Sequence, residues 1–198
     1  MNQRRLTKRG SKRREQVLEA AARLFAEQGY HGTTVGDVCD SLGVGKGVFY
    51  WYFESKEALF REILRANLYQ LRKSQQEAIE NERDPVRRIE QGIRASIGFF
   101  TSNPGLLPLI RIAARYEEFS ADVAHGQETV VADTALHIKE GMARGDIRHG
   151  DPDLMAHGIL GAIFHFVETY VGNDGSMPDR PGLADEAVAF CLRGILSR

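Results

Sequence analysis

Apolar residues recur at three- and four-residue steps through most of the chain, beginning with Val17, Ala20, Ala21, Leu24 and Phe25. That spacing lines one face of a helix, and Gly29 supplies a stop, so the first helix is expected to end near Gln28. Thr33-Thr34-Val35-Gly36-Asp37 reads as a second start, with a hydroxyl cap and a carboxylate three residues on for the exposed amides. The resulting helix is short, ending near Leu42. A Gly43-Val44-Gly45 turn follows, then a helix over 46–52, and Ser55-Lys56-Glu57 opens a long periodic segment running to about Glu80.

Beyond Asp84-Pro85 the same periodicity continues, with breaks expected at Asn103-Pro104-Gly105, near 117–120, over 145–152 and over 172–181. Only the break near 117–120 lacks both Gly and Pro. No run alternates long enough to imply a sheet, so the fold class is all-α with about nine helices. The segment near 153–171 is apolar nearly all round, and Gly158 and Gly161 allow a close backbone approach, so both of its faces need cover. A second copy of the chain is the expected cover.

Charge sharpens this outline. The 198 residues carry a net charge of -1, yet the first 72 hold 13 Lys/Arg against 8 Asp/Glu, and the remainder 13 against 19. The N-terminal part is therefore suited to a polyanion and the rest is not. Residues 1–14 contain Arg4, Arg5, Lys8, Arg9, Lys12, Arg13 and Arg14 with no acidic residue, and they read as a flexible basic arm. The longest apolar stretch is interrupted by His165 and Glu168, short of a membrane span, and the basic N-terminus leads into no signal-like apolar segment. A cytoplasmic location is expected. Cys39 and Cys191 fall on inward helix faces and read as two reduced, buried thiols.

The helices 34–42 and 46–52, joined by a short glycine-containing turn, have the dimensions of a helix-turn-helix whose second member enters the major groove. On its wheel Phe49 and Phe53 point one way with Tyr52 beside them. Gly47, Tyr50 and Trp51 point the other way, flanked by Lys46 and Val48. A cation, a bare backbone position, a phenol and an indole make an outward face suited to phosphates and base edges. Thr34 and Lys56 open their helices, where amides and the helix dipole favour an anion, so each is expected to clamp a flanking phosphate.

The stretch Gly43-Val44-Gly45-Lys46-Gly47-Val48-Phe49-Tyr50-Trp51-Tyr52-Phe53-Glu54-Ser55-Lys56-Glu57-Ala58-Leu59-Phe60 closely resembles the recognition segment of tetracycline-repressor-type (TetR) regulators. Ala21-Ala22-Arg23-Leu24-Phe25-Ala26-Glu27-Gln28-Gly29-Tyr30 is similar to the end of that family's first helix. Gly141-Met142-Ala143-Arg144-Gly145-Asp146-Ile147-Arg148, with Asp151-Pro152-Asp153-Leu154, resembles the junction before its dimerising helices. The resemblance implies that Thr34, Gly45, Lys46, Gly47, Val48, Tyr50, Trp51 and Lys56 occupy DNA-contacting positions. It also implies a homodimer held by a four-helix bundle of the segments near 153–171 and 183–196. Gly45 stands where Ser or Thr is common and Trp51 where His or Tyr is usual, so operator preference does not carry over.

The implied organisation is a basic arm over 1–14, a helix-turn-helix domain over 15–54, and a ligand-binding and dimerisation domain over 55–198 entered through the helix 55–80. For the ligand, Phe99, Leu107 and Phe164 offer apolar wall and Arg94, Arg111, Tyr116, His137 and Glu168 polar contacts, a mixture suited to an amphipathic small molecule, with the arginines favouring an anionic one. No cofactor, metal or catalytic group is expected. The glycine-to-GK spacing of a phosphate-binding loop fails, no two histidines are spaced as a metal pair, and no nucleophile elbow is present. The expectation is a repressor, not an enzyme, released from a palindromic operator by a small molecule. The alternative is a helix-turn-helix protein of architectural or partner-binding role that senses nothing.

Overall fold

The computed structural model describes residues 7–171 and 182–197; the expected break over 172–181 and residues 1–6 lie outside the described residues. Among the described residues there are nine helices and no strand: α1 (Lys8–Gln28), α2 (Val35–Ser41), α3 (Lys46–Tyr52), α4 (Lys56–Ile79), α5 (Pro85–Ser102), α6 (Leu106–Arg115), α7 (Glu117–Arg144), α8 (Pro152–Tyr170) and α9 (Leu183–Ile195).

Local chemistry explains most of the boundaries. Thr34 and Asp37 form a reciprocal capping box at the start of α2. The Ser55 hydroxyl accepts from the Ala58 amide at the start of α4. Asp84 and Asp151 cap α5 and α8, each followed by a proline whose missing N–H and fixed φ suit the first helical position. At the far end of α7, Gly145 adopts the left-handed conformation (φ 81°), and its amide reaches back to the carbonyls of Gly141 and Met142.

Two boundaries differ from the expectation. The first helix reaches back to Lys8, with Thr7 as its cap, so residues 8–14 of the expected arm are helical. Arg14 gives the reason for its end of that segment: its guanidinium pairs with Glu62 of α4 and lies 5.0 Å from the Phe53 ring, contacts that need a fixed backbone. The break expected near 117–120 is a single residue, Tyr116, in extended conformation between α6 and α7, and 117–120 are helical. One extended residue suffices to redirect a helix, and it requires neither Gly nor Pro.

Helices α1 to α3 make a small head. Helix α4 leaves it and packs most extensively on α5, while α7 packs on α8, and α9 lies against α5 and α8. The core is continuous: Phe25, Tyr30, Phe49 and Phe53 of the head merge through Phe60, Leu64 and Phe119 into the body core around Ile93, Leu109, Ile138 and Val167. Aromatic edges tie the junction, with Phe60 4.5 Å from Phe119 and Tyr30 5.2 Å from Phe119, centroid to centroid. Both cysteines are buried and free, and burial pushes the Cys191 thiol up to about 11. No described helix is long and apolar enough to cross a membrane.

Candidate nucleic-acid interface and body cavity

The recognition element begins with the turn between α2 and α3. Gly43 takes a positive φ of 62°, which lets the Val44 amide return to the Cys39 carbonyl at 3.0 Å and aims the chain into α3. Gly45 caps α3 with no side-chain hydrogen bond, as a residue lacking a hydroxyl must. Phe49 and Phe53 are buried and anchor the helix to the head. The opposite face is open: Lys46 and Gly47 are exposed, Val48 is half-buried, and Tyr50 and Trp51 are 57% and 63% exposed. Five of the sequence-predicted DNA residues, Lys46, Gly47, Val48, Tyr50 and Trp51, thus sit on one short helix, with Gly45 at its cap.

Thr34 and Lys56 flank that helix with their polar groups already engaged. The Thr34 hydroxyl donates to an Asp37 carboxylate oxygen at 2.8 Å and accepts from the Asp37 amide at 3.2 Å. The Thr34 backbone amide and hydroxyl together hold the Asp37 carboxyl below the usual range. Lys56 donates to the backbone carbonyls of Tyr30 and Thr33, 3.0 Å each, leaving one of its three ammonium hydrogens for an outside acceptor. Thr33, which the sequence pattern did not single out, is fully buried and its hydroxyl lies 3.2 Å from the Leu24 carbonyl and 3.0 Å from that of Gly29. It ties the α1–α2 connection to the end of α1.

The body contains a cavity of about 670 Å³, within the range of small-molecule pockets. Its wall is built from α4 (Leu68, Leu71), α5 (Phe100), α6 (Ile110), α7 (Val123, Val130) and α8 (Leu160, Ile163, Phe164), which are apolar. Asp122, only 12% exposed at its side chain, stands at this wall and pairs with Arg65 (2.7 Å) and Arg61 (3.0 Å) of α4. A second, smaller cavity of about 70 Å³ adjoins it and shares Arg72, Gln75, Ser96, Val130, Leu160 and Ile163. His137 lines that smaller space; burial, and next the nearby Arg88, hold its imidazole below its ordinary range.

Of the eight sequence-predicted ligand residues, the structure brings Phe164 to the larger cavity and His137 to the smaller; the other six line neither. Arg94 pairs with Glu90 one turn back in α5 at 3.0 Å and with Asp185 of α9 at 2.5 Å, and Arg111 of α6 pairs with Glu168 of α8 at 3.1 Å, so these charges satisfy one another. Leu107 is buried core and Phe99 packs half-buried against it. Tyr116 stacks edge-on against His31 at 4.8 Å, in the junction between head and body. Ser96 and Gln75 were missed, although one signal was readable: Ser96 is the lone hydroxyl on the buried stripe Ile89, Ile93, Ile97 and Phe100 of α5. Among the described residues no three His, Cys, Asp or Glu side chains are grouped so as to hold a metal ion.

Comparison with known proteins places this geometry. The sequence model described as bacterial regulatory proteins of the tetR family matches residues 17–63, which span most of α1, all of α2 and α3 and the first turns of α4. The HTH-type transcriptional regulator YhgD of Bacillus subtilis is 26% identical over 150 residues, 75% of this chain and 78% of its own. The HTH-type transcriptional repressor KstR2 of Mycobacterium tuberculosis is 37% identical over 84 residues, 42% of each chain, so that sequence match spans less than half of the relative. In structure, the ketosteroid transcriptional regulator KstR2 of Mycobacterium tuberculosis superposes with a TM-score of 0.76 at 25% identity, covering 94% of this chain and 96% of that one. The TetR family transcriptional regulator PfmR of Thermus thermophilus gives 0.76 at 26% identity, covering 92% and 99%. These relatives are regulators of transcription and not enzymes. Residues 17–63 thus carry the DNA-binding head that the tetR family model describes, and the chain as a whole shares its all-helical fold with transcriptional regulators such as KstR2 and PfmR.

Proposed function

We propose that the protein is a homodimeric repressor that grips a palindromic operator through α3 and is released when a small molecule fills the body cavity. The observation that carries this reading is the position of the cavity: it lies against α4, the same helix whose first turn is fastened to the head by Lys56. A ligand that separates α4 from α7 acts on the Arg61 and Arg65 pairs with Asp122 and, through Phe60 and Phe119, on Tyr30 of the head. Such a ligand shifts the equilibrium only as far as it prefers the separated form. The repressor sense is supported by relatives that carry that name, KstR2 and the probable acrEF/envCD operon repressor of Escherichia coli.

The DNA contacts fall to Lys46, Gly47, Tyr50 and Trp51 on α3, with Gly45 and Val48 allowing close approach and Thr34 and Lys56 at the flanks. The dimer is supported by an open face on α8 and α9, where Leu154 is 71% and Phe190 65% exposed and Gly158 and Gly161 leave room for close approach among the exposed His157 and His165. The domain division follows: residues 15–54 read DNA, and 55–198 sense and dimerise.

Two measurements test this. Selection of bound sequences from random DNA is expected to return an inverted repeat with half-sites about one helical turn apart; recovery of a single unrepeated site rejects the two-fold reading. A thermal-shift screen of hydrophobic small molecules is expected to yield compounds that raise the melting temperature and lower DNA affinity. Gly126 lines the cavity, and a Cβ there would sit 3.6 Å from Leu68, an ordinary contact. Gly126→Leu should therefore bind DNA as before and lose the response. If no compound does both, the non-sensing alternative holds.

A further inference from the structure

Every charged group lining the large cavity is already in an ion pair, Asp122 with two arginines, Arg61 and Arg65. Arg65 is 2.7 Å from Asp122, and Arg72 is 2.6 Å from Asp133 of α7. A carboxylate entering the cavity has to compete with Asp122 or Asp133 for arginine N–H donors, and an ammonium has to compete with an arginine for its aspartate. A charged ligand therefore gives up its hydration for groups whose strongest bonds are already made, which opposes binding. The arginines that the sequence offered for an anion, Arg94 and Arg111, are paired elsewhere and line neither cavity.

Of the neutral polar side chains at the wall, Tyr69, His125 and Gln127 are exposed and the Thr129 hydroxyl donates to the His125 carbonyl at 2.8 Å, which leaves Gln75 and Ser96 as the inward polar pair. The Gln75 side-chain amide donates to the Ser96 hydroxyl at 2.8 Å, and that hydroxyl donates to the Gly92 carbonyl at 2.7 Å. Ser96 is buried, and both residues line both cavities, so their hydrogen bond stands in the partition between the larger space and the smaller. The Ser96 hydroxyl has spent its only proton on Gly92, whereas the Gln75 amide keeps a second N–H and its carbonyl oxygen. A ketone can accept from the first, and a hydroxyl can donate to the second.

We propose, on the reading that this cavity is the sensing site, that its ligand is an uncharged, mostly hydrocarbon molecule carrying a carbonyl or hydroxyl group that hydrogen-bonds Gln75. Ser96 acts as the positioning residue that holds the amide at the partition. Discrimination against charged analogues comes from the closed Arg65–Asp122 and Arg72–Asp133 pairs, not from size.

Four probes built on one dimethylaminonaphthalene body test this with the full-length protein, by fluorescence titration: a propionyl ketone, a carboxylate, a trimethylammonium-methyl derivative and a butyl derivative with no carbonyl. The ketone is expected to bind with blue-shifted emission and at least about tenfold tighter than either ion, and Gly126→Leu to weaken it strongly. Gln75→Met, which keeps the volume of a half-buried side chain, should lower ketone affinity by roughly three- to tenfold, the worth of one neutral hydrogen bond. It should leave the butyl probe within about twofold, and Ser96→Ala should follow the same pattern with a smaller change. A carboxylate or ammonium that binds as tightly as the ketone, weakened equally by Gly126→Leu, overturns the uncharged class while the sensing cavity stands. Equal losses for the ketone and butyl probes in Gln75→Met overturn the role of Gln75. If no probe binds, or Gly126→Leu changes nothing, the sensing cavity falls and the proposal with it.

Discussion

The ammonium of Lys56 sits 4.3 Å from the centre of the Tyr30 ring and donates to the Tyr30 carbonyl at 3.0 Å, so one side chain of α4 grips both the backbone and the ring of a single residue at the end of the head. Tyr30 in turn donates its hydroxyl to Glu57, the residue next to Lys56, at 3.0 Å. The Glu57 carboxyl is held below its ordinary range by its own backbone amide and the Ser55 hydroxyl, and burial drives the Tyr30 phenol well above its own. The joint between head and body is therefore a closed set of polar bonds around an aromatic ring.

Lys56 and Lys46 are accordingly expected to differ on substitution. Lys46→Ala removes an exposed cation from α3 and should reduce the salt dependence of DNA binding by roughly one counterion without altering the melting temperature. Lys56→Ala leaves two carbonyls without their donor and removes the cation from the Tyr30 face, which should destabilise the protein by about 1–2 kcal/mol. A circular dichroism melt of each variant, beside a salt titration of DNA binding, separates the two roles. Equal melts for both would refute the fastening assigned to Lys56.

Trp51 is the single tryptophan of the chain and lies on the open face of α3, opposite the buried Phe49 and Phe53. Operator DNA should quench or shift its fluorescence. Trp51→Ala should preserve the melt and weaken DNA binding by about 1–3 kcal/mol, the range of a good specific contact. A variant that melts several degrees lower before DNA is added would instead assign the indole to the packing of the head.

The open face of α8 and α9, with Leu154 and Phe190 exposed on it, gives a third expectation. Leu154→Glu combined with Phe190→Glu places carboxylates where the proposed partner subunit packs, and light scattering should then report a monomer. Operator affinity should fall by roughly 10²-fold, because two linked heads bind with the avidity of a tethered pair. A dimer surviving both substitutions would show that the subunits meet on another surface.

His137 predicts a pH effect. Its folded-state imidazole resists protonation more than in the unfolded chain, chiefly through burial and then through Arg88, against the smaller pull of Asp133 and Glu140. The unfolded state therefore takes up the proton first as pH falls through 6.5, so this stability is present above that pH and is lost below it. The melting temperature should fall from pH 7.5 to pH 5.5, a window above the range where Asp37, Glu57 and Asp84 titrate. His137→Gln should flatten that fall. An identical slope in the variant would place the effect on other groups.

The helices, the helix-turn-helix and the outward face of α3 were readable in the residue pattern alone, because these rest on neighbours three and four positions apart and on caps within one turn. The capping box at Thr34 and the opposition of Phe49 to Trp51 were legible for that reason. Tertiary structure decided what Lys56 holds, why α1 begins at Lys8 and which side chains line the cavity. Lys56 and Tyr30 are 26 positions apart, Arg14 and Glu62 are 48, and the cavity draws Leu68, Phe100, Val123 and Phe164 from four helices. A cavity is space that packed helices fail to fill, and it depends on crossing geometry and on side-chain volumes summed across distant segments. The residue pattern offered Arg111 and Glu168 as polar contacts for a ligand. Only the packing of α6 beside α8 brought them 3.1 Å apart and so spent on each other the charges the sequence had offered to a ligand.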